Sequence, residues 1–483
     1  MTSSRAFVAS TIVLAIAAVV SQAINFVGML VVARLYGPSE VGMFGLFGVV
    51  FTFAAFAASW RYELAIVTVS EEIEAEDVAI FVVSAGLASA LVSLAALVGL
   101  SLLPTRPSIS DQFLAALWWL PLSLVFTGLT LAGSSWSMRH SHVGLLALQQ
   151  MAQPLVATMM QVLFARIGFG SGGGGLVAGF VIGQVVSASI VAIPLCLPLV
   201  RACWRPHLAS RLLVVTRLHR AHFLYTIPYS LLTQLYYQAP MIVLGVLFGP
   251  RDVGFFSLAF RTTSTPISVV PHAAAQMFFP GMARDRDRLD IWEPKLGALL
   301  VALGFVLAPV AAALIVAGPD LFAAMFGAPW RTAGLFVQIL IVSTLLNGLV
   351  SGYDRIYFVL GRQKTALKIT AAVALLSAFL MLTFETIFET STAVVAAWSL
   401  AHVVLAIAWT STAYRLAGFS LFGLFRVWAA VLGTIGLVAV IIVLARSWLG
   451  YDWRFAVFAA VFGALYAAFC LWHMRPTLSA LRR

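Results

Sequence analysis

Phe248-Gly249-Pro250-Arg251-Asp252-Val253-Gly254-Phe255-Phe256-Ser257-Leu258 repeats, 212 positions on, the segment Tyr36-Gly37-Pro38-Ser39-Glu40-Val41-Gly42-Met43-Phe44-Gly45-Leu46. Each copy lies between two long apolar runs. A Gly-Pro turn that recurs in that setting marks the duplication of a helical unit. In a membrane, paired helical repeats around a central site are the build of a transporter that rocks one half against the other.

Composition narrows the class further. Of 483 residues, 62% are hydrophobic and only 10% charged, too few polar groups to cover a water-facing surface. A helix crossing ~30 Å of hydrocarbon needs about 20 residues. Fourteen runs qualify: 8–34, 42–69, 78–103, 112–134, 144–166, 176–199, 223–248, 253–280, 296–318, 333–360, 365–388, 393–414, 422–445 and 455–474. The first resembles a signal peptide in its charged start but is too long for one. The expected fold is an all-α integral membrane protein of about 14 transmembrane helices: two parallel six-helix repeats around a central cavity plus two C-terminal helices. The division runs N-lobe 1–200, cytoplasmic basic linker 201–222, C-lobe 223–416 and the last two helices in 417–483. An even number of spans per repeat makes both copies enter from the same side. No loop is large enough for a soluble catalytic domain, so neither an enzyme nor a cofactor is expected.

Orientation follows from Lys and Arg, which are retained on the cytoplasmic side. With the N-terminus inside, inner loops and tails hold 19 of the 29 basic residues and outer loops hold seven, while Arg61, Arg261 and Arg355 fall within runs. Both termini are therefore expected in the cytoplasm. The net charge of +11 reads as this topology signal plus attraction to anionic membrane lipids, with no need for nucleic acid. Cys196, Cys203 and Cys470 form neither a disulfide framework nor a metal-ligand spacing. Gly168 to Gly175 reads as a slack external connector, and the acidic stretch Glu71 to Asp77 as a solvated face.

Polar residues inside apolar runs cost free energy unless a partner, water or a ligand meets them. Arg261 lies eight residues into its run, about 12 Å below the outer end at 1.5 Å per residue, deeper than a snorkelling side chain needs. Pro266 and Pro271 follow and should bend or open the helix, with His272 and Gln276 on about one face. Two readings of Arg261 stay open: contact with a ligand in a wet cavity, or a structural partner for helix-end carbonyls or Asp252. Gln234, Tyr236, Tyr237 and Gln238 lie between Pro228 and Pro240 in run seven; run five carries Gln149, Gln150, Gln153 and Gln161; run one carries Gln22 and Asn25. Uncharged amides suit a sugar and equally suit hydrogen bonds between helices. Trp60-Arg61-Tyr62-Glu63 closes run two. On a continuous helix, i and i+2 point to different faces, so Arg61 and Glu63 should each find a partner elsewhere, with Asp354 and Arg355 of run ten as candidates. Such pairs would close an inner gate; the alternative makes Glu63 the carrier of a coupling proton.

The pattern Ala33-Arg34-Leu35-Tyr36-Gly37-Pro38 through Val41-Gly42, followed by Arg61-Tyr62-Glu63-Leu64-Ala65-Ile66, resembles the polysaccharide transporter family. Phe326-Gly327 through Trp330 and Gly334 ahead of run ten, and Gly361-Arg362-Gln363-Lys364 after it, are similar to that family's later marks. The family contains Wzx-type oligosaccharide flippases and lies in the multidrug/oligosaccharidyl-lipid/polysaccharide exporter superfamily; the likeness spans runs one to twelve. It implies a bacterial inner-membrane flippase for undecaprenyl-diphosphate-linked oligosaccharide, working by alternating access beside polysaccharide polymerase and glycosyltransferases. Related lipid II flippases carry an arginine five residues before a proline in run eight, which Arg261 and Pro266 match, and an Arg-Asp pair in run one where this chain has Gly28 and Met29. That departure argues against lipid II as the substrate. An ion-coupled multidrug antiporter of the same superfamily is the alternative, followed by a membrane-embedded synthesis enzyme or a structural scaffold of the synthesis complex.

Overall fold

The structure, a computed structural model, describes residues 2–102, 110–220, 222–264, 267, 289–350 and 353–449. Among them every regular element is helical. Two compact units divide the chain, Met1–Gly254 and Phe255–Arg483. The first contains α1 (Thr2–Leu35), α2 (Pro38–Ala57), α3 (Glu63–Thr68), α4 (Glu72–Leu102), α5 (Asp111–Leu117), α6 (Leu120–Arg139), α7 (Val143–Ile167), α8 (Gly174–Ala192), α9 (Cys196–Trp204), α10 (Leu208–Leu218) and α11 (Ile227–Leu247). Helix α12, residues 250–264, crosses the division. The second unit continues with α13 (Glu293–Phe326), α14 (Arg331–Val350), α15 (Asp354–Val359), α16 (Gln363–Phe388), α17 (Ser391–Ala417) and α18 (Leu421–Leu449).

Among the described residues, eleven spans are long and apolar enough to cross a membrane, and each overlaps a run expected from the sequence. The chain is thus a multi-pass membrane protein. Of the other three expected runs, one is α7, whose glutamines dilute its apolar character; one is α12, described only to residue 264; and run 455–474 lies outside the described residues. Large apolar side chains such as Leu375, Phe379 and Leu382 of α16 are exposed, as befits helices solvated by acyl chains. Because lipid gives little hydrophobic drive between helices, seams close on small residues. Gly86 of α4 meets Gly128 of α6 so closely that a Cβ on either would lie 3.0 Å from the other's Cα.

The order of packing repeats between units. In the first, α4 packs on α6, α6 on α8, α8 on α7 and α7 on α1. In the second, α13 packs on α14, α14 on α17 and α17 on α16, with α18 added against α13. Shifted by the repeat offset, α6 falls on α14, α8 on α17 and α7 on α16, so the succession matches the duplication.

The repeated turn also meets itself. A Cβ built on Gly42 would overlap the Pro250 carbonyl, and one built on Gly254 would overlap the Pro38 carbonyl. The two contacts interchange under the repeat offset, the reciprocity of a local two-fold contact. Backbones this close admit no side chain, which is why glycine stands fourth after proline in both copies.

Two expectations of the sequence are corrected. Run two is not one helix, because α2 stops at Ala57 and α3 starts at Glu63, with Trp60 (φ 51°) and Arg61 (φ 64°) left-handed between them. The glycine connector is packed, not slack: a Cβ on Gly173 would lie 2.6 Å from the Glu40 carbonyl oxygen, and one on Gly172 2.6 Å from the Gln112 side chain. Gly168, Gly170, Gly172 and Gly173 all take positive φ, a backbone open mainly to glycine.

Candidate functional site

The Arg-Tyr-Glu segment sits in the break between α2 and α3. Left-handed φ at two successive non-glycine residues costs of order 1–3 kcal/mol each and persists only where surroundings hold it. The Trp60 N–H donates to the Phe56 carbonyl (2.9 Å) and the Tyr62 N–H to the Ser59 carbonyl (3.0 Å); the Arg61 N–H donates to Ser59 Oγ (3.2 Å). The turn redirects the side chains, so the helical premise fails: Arg61 Nη1 lies 3.5 Å from Glu63 Oε1. Arg61 Nη2 donates to Ser230 Oγ of α11 at 3.2 Å, and its guanidinium lies over the Phe56 ring. Glu63 is 4% exposed. Arg61 Nε and Glu63 Oε2 are buried without hydrogen-bond partners, leaving one donor and one acceptor of the pair unspent. Tyr62 anchors the turn, its ring 4.6 Å from that of Phe81 and its hydroxyl donating to the Thr216 carbonyl of α10 at 3.2 Å. Burial pushes its phenol pKa up.

The acidic start of α4, expected to be a solvated face, is instead clamped by basic groups. Arg211 donates to both Asp77 oxygens (Nε to Oδ2 3.1 Å, Nη2 to Oδ1 2.9 Å), and Arg205 pairs with Glu76 and Asp77. Glu76 and Asp77 are both buried. Removing one partner would strand a buried charge, a cost of about 3 kcal/mol. His219 Nε2 meets Glu74 Oε1 at 3.0 Å, and His140 Nε2 meets Glu72 Oε1 at 2.9 Å. Arg139 donates to the carbonyls of Ile66, Val69 and Ser70, capping the end of α3 with the cation its dipole favours. The basic linker is therefore bonded to α4, the second helix after the Arg-Tyr-Glu turn. Just past its start, α4 is buried on every side, Glu76 and Asp77 with Ala75, Val78, Ala79 and Val82, a burial that no apolar stripe in the sequence announced.

The polar helix residues divide into those spent on packing and those left accessible. Gln161 donates to the Leu176 carbonyl (3.0 Å), Gln149 to Ser187 Oγ (3.0 Å) and Gln238 to Thr52 Oγ1 (3.3 Å); these three join helices. Gln153 and Gln234 are half-buried, and Gln22, Asn25 and Tyr237 are exposed. Asn25 donates to the Ser21 carbonyl of its own helix at 3.1 Å. Pro228 stands in the first turn of α11, and Pro240 within it. In the second unit, Phe256 and Phe260 of α12 pack edge-on against Trp398, whereas Arg261 is exposed. Asp354 and Arg355 open α15, but their side chains lie outside the described residues, as do Pro266, Pro271, His272 and Gln276.

A polar knot in the second unit escaped the sequence reading. Asn347 Nδ2 donates to the carbonyls of Ser343 (2.9 Å) and His402 (2.8 Å), Ser399 Oγ donates to the Ile339 carbonyl (2.8 Å) and lies 2.9 Å from Ser343 Oγ, and the His402 ring stacks on Trp398. Scattered Ser and Asn in apolar runs carry no sign of which distant helix they meet.

A family model described as polysaccharide biosynthesis protein matches residues 31–334. No curated protein sequence matches the chain. Among solved structures, the chain is similar to a lipid II flippase, MurJ, in an inward closed conformation: 12% identity over 97% of this chain and 100% of that one, TM-score 0.73. It is also similar to an inward-facing multidrug resistance MATE family transporter of the MOP superfamily: 16% identity over 86% and 98% of the two chains, TM-score 0.62. A MATE in a bent conformation matches at 14% identity over 88% and 96%, TM-score 0.53. At these identities the likeness is one of fold, and the fold is that of a membrane transporter.

Proposed function

The chain belongs to the family of polysaccharide biosynthesis proteins, and from that premise we propose that it moves an undecaprenyl-diphosphate-linked oligosaccharide across the bacterial cytoplasmic membrane. The cargo passes from the inner to the outer leaflet by alternating access, during synthesis of a surface polysaccharide. Glycosyltransferases that build the glycan and a polymerase that extends it are the working partners. Both termini and the basic linker face the cytoplasm, in keeping with the bias of Lys and Arg.

Burying the unpaired charge of a diphosphate in hydrocarbon is prohibitive, so the head group needs a hydrated path with a cation along it. Arg261 is that cation. The observation that carries the reading is its exposure on a helix whose aromatic neighbours Phe256 and Phe260 are packed. The accessible amides Gln22, Asn25, Gln153 and Gln234, with Tyr237, offer donors and acceptors to sugar hydroxyls without demanding a counter-ion; His272 and Gln276 extend the set along the run that begins as α12. Arg61 and Glu63, with Asp354 and Arg355, are the gating and coupling groups. A second reading, an ion-coupled multidrug antiporter, draws on the buried carboxylate of Glu63, since a cation needs such a group. Its pairing with Arg61 fits an ion-coupling switch better than a seat for an organic cation.

The test is complementation of a deletion strain at matched protein levels. Wild-type protein should restore surface glycan, whereas Arg261→Ala and Arg261→Lys should each lower export roughly tenfold, about 1.4 kcal/mol of lost head-group binding, while lipid-linked precursor accumulates. Unchanged export by Arg261→Ala would remove the assignment, and normal glycan with lost resistance to organic cations would favour the antiporter.

A further inference from the structure

A pocket of about 340 Å³ opens beside the Arg-Tyr-Glu turn, walled by Trp60, Tyr62, Phe81, Phe223 and Leu224 with Arg220 among them. We propose that it is a binding site for the phosphate of a membrane lipid, which pairs with Arg220 while the aromatic wall takes the root of the lipid chain.

Charge selects the ligand class. No carboxylate lines the pocket, and Arg220 forms no ion pair among the described residues, whereas Arg205 and Arg211 of the same linker are committed to Glu76 and Asp77. A guanidinium presents a planar fork of donors that matches phosphate geometry. The surroundings select a lipid over a soluble phosphate. One exposed ion pair binds a soluble anion poorly, but Leu213, Val214 and Leu218 of α10 are 59%, 59% and 63% exposed, and Phe223 and Leu224 are exposed as well. An apolar helix face flanked by arginines lies in the head-group layer, where lipid phosphate is concentrated, and aromatic rings prefer that depth.

The site has a consequence for the turn it touches. Trp60 is the first of the two left-handed residues, its ring 5.1 Å from that of Phe223, and Tyr62 ties the turn to α10. A lipid held between Trp60 and Arg220 therefore pins the segment that carries Arg61 and Glu63. The proposal does not depend on what the protein transports.

Native mass spectrometry of the purified full-length protein tests it, with phosphatidylglycerol, phosphatidylcholine and undecaprenyl phosphate as probes. Wild-type protein should retain one phosphatidylglycerol at a concentration roughly fivefold below that needed for phosphatidylcholine, the advantage expected of one arginine near an anionic surface. Arg220→Gln should erase the difference with unchanged thermal unfolding in detergent, and Arg217→Gln, on the same linker but outside the pocket, should keep it. Stronger retention of undecaprenyl phosphate than of phosphatidylglycerol would identify the isoprenoid lipid as the occupant, and equal retention a bulk anionic phospholipid; either supports the site. Equal preference in wild type and Arg220→Gln would overturn it, as would displacement of the lipid by inorganic phosphate at equal concentration.

Discussion

Glu63 keeps one carboxylate oxygen within hydrogen-bond reach of Arg61 and leaves the other buried without a donor. A carboxamide in its place keeps the shape of the group and an acceptor oxygen for Arg61 but no site for an exchangeable coupling proton. Glu63→Gln, compared at matched protein levels, should therefore abolish the dependence of transport on a proton gradient; transport that still follows the gradient would contradict a coupling role. Tyr36 carries a pH dependence of its own. Its hydroxyl donates to the Gln161 carbonyl at 2.8 Å, and burial, with Glu40 nearby, pushes its pKa up to about 12 from the model-compound value of 10.0. The folded state thus favours the neutral phenol. Its stabilisation is complete below pH 10 and is lost as pH rises from about 10 towards 12. Tyr36→Phe should lower stability by about 1 kcal/mol at neutral pH and flatten this alkaline loss, measured by thermal unfolding in detergent across that window; an unaltered alkaline profile would contradict it. Arg61 and Glu63 stood out in the sequence because charge in an apolar run is rare. Their mutual approach did not, since left-handed φ at Trp60 and Arg61 lacks the Gly, Asn or Asp that would announce it.

At the scale of elements, the contact between the repeated turns carries the most specific expectation. Gly42→Ala drives a methyl group into the Pro250 carbonyl, and Gly254→Ala drives one into that of Pro38. Overpacking of this kind should destabilise by about 3 kcal/mol. Gly48→Ala, six residues along the same helix with nothing within 4 Å of its Cβ, should stabilise slightly through helix propensity. Thermal unfolding of the three variants in detergent is the check, and a Gly42→Ala protein as stable as wild type would contradict the packing. Here the sequence was legible in part. The recurrence of Gly-Pro and a later glycine was visible, but that the copies touch each other was not, because a repeat encodes similarity and not adjacency. Composition misled at the glycine connector and at the acidic stretch. Glycine tracts are slack in water and acidic runs are solvated, yet Gly173 packs on Glu40 and Asp77 binds Arg211, contacts set by chain segments more than a hundred residues away.

For the whole molecule, length and hydropathy sufficed, since a membrane demands that each crossing satisfy its own backbone hydrogen bonds. Eleven of the fourteen expected runs answer to candidate spans among the described residues, and the succession α4–α6–α8–α7 returns as α13–α14–α17–α16. The polar selection was harder to read. Gln149, Gln161 and Gln238 are spent on neighbouring helices while Gln22, Asn25 and Arg261 stay accessible, a division that depends on which face each helix turns to its neighbour. In the proposed function those accessible groups meet the cargo, and a purified system isolates that step from the rest of glycan synthesis. The direct measurement is flipping in proteoliposomes, with lipid-linked oligosaccharide in the inner leaflet and an added glycan-cleaving enzyme reporting its arrival outside. Wild-type protein should expose the glycan under an ion gradient, and Arg261→Ala should slow that exposure roughly tenfold. Glycan that stays inside with wild-type protein, while an organic cation is expelled from the same vesicles, would contradict the account.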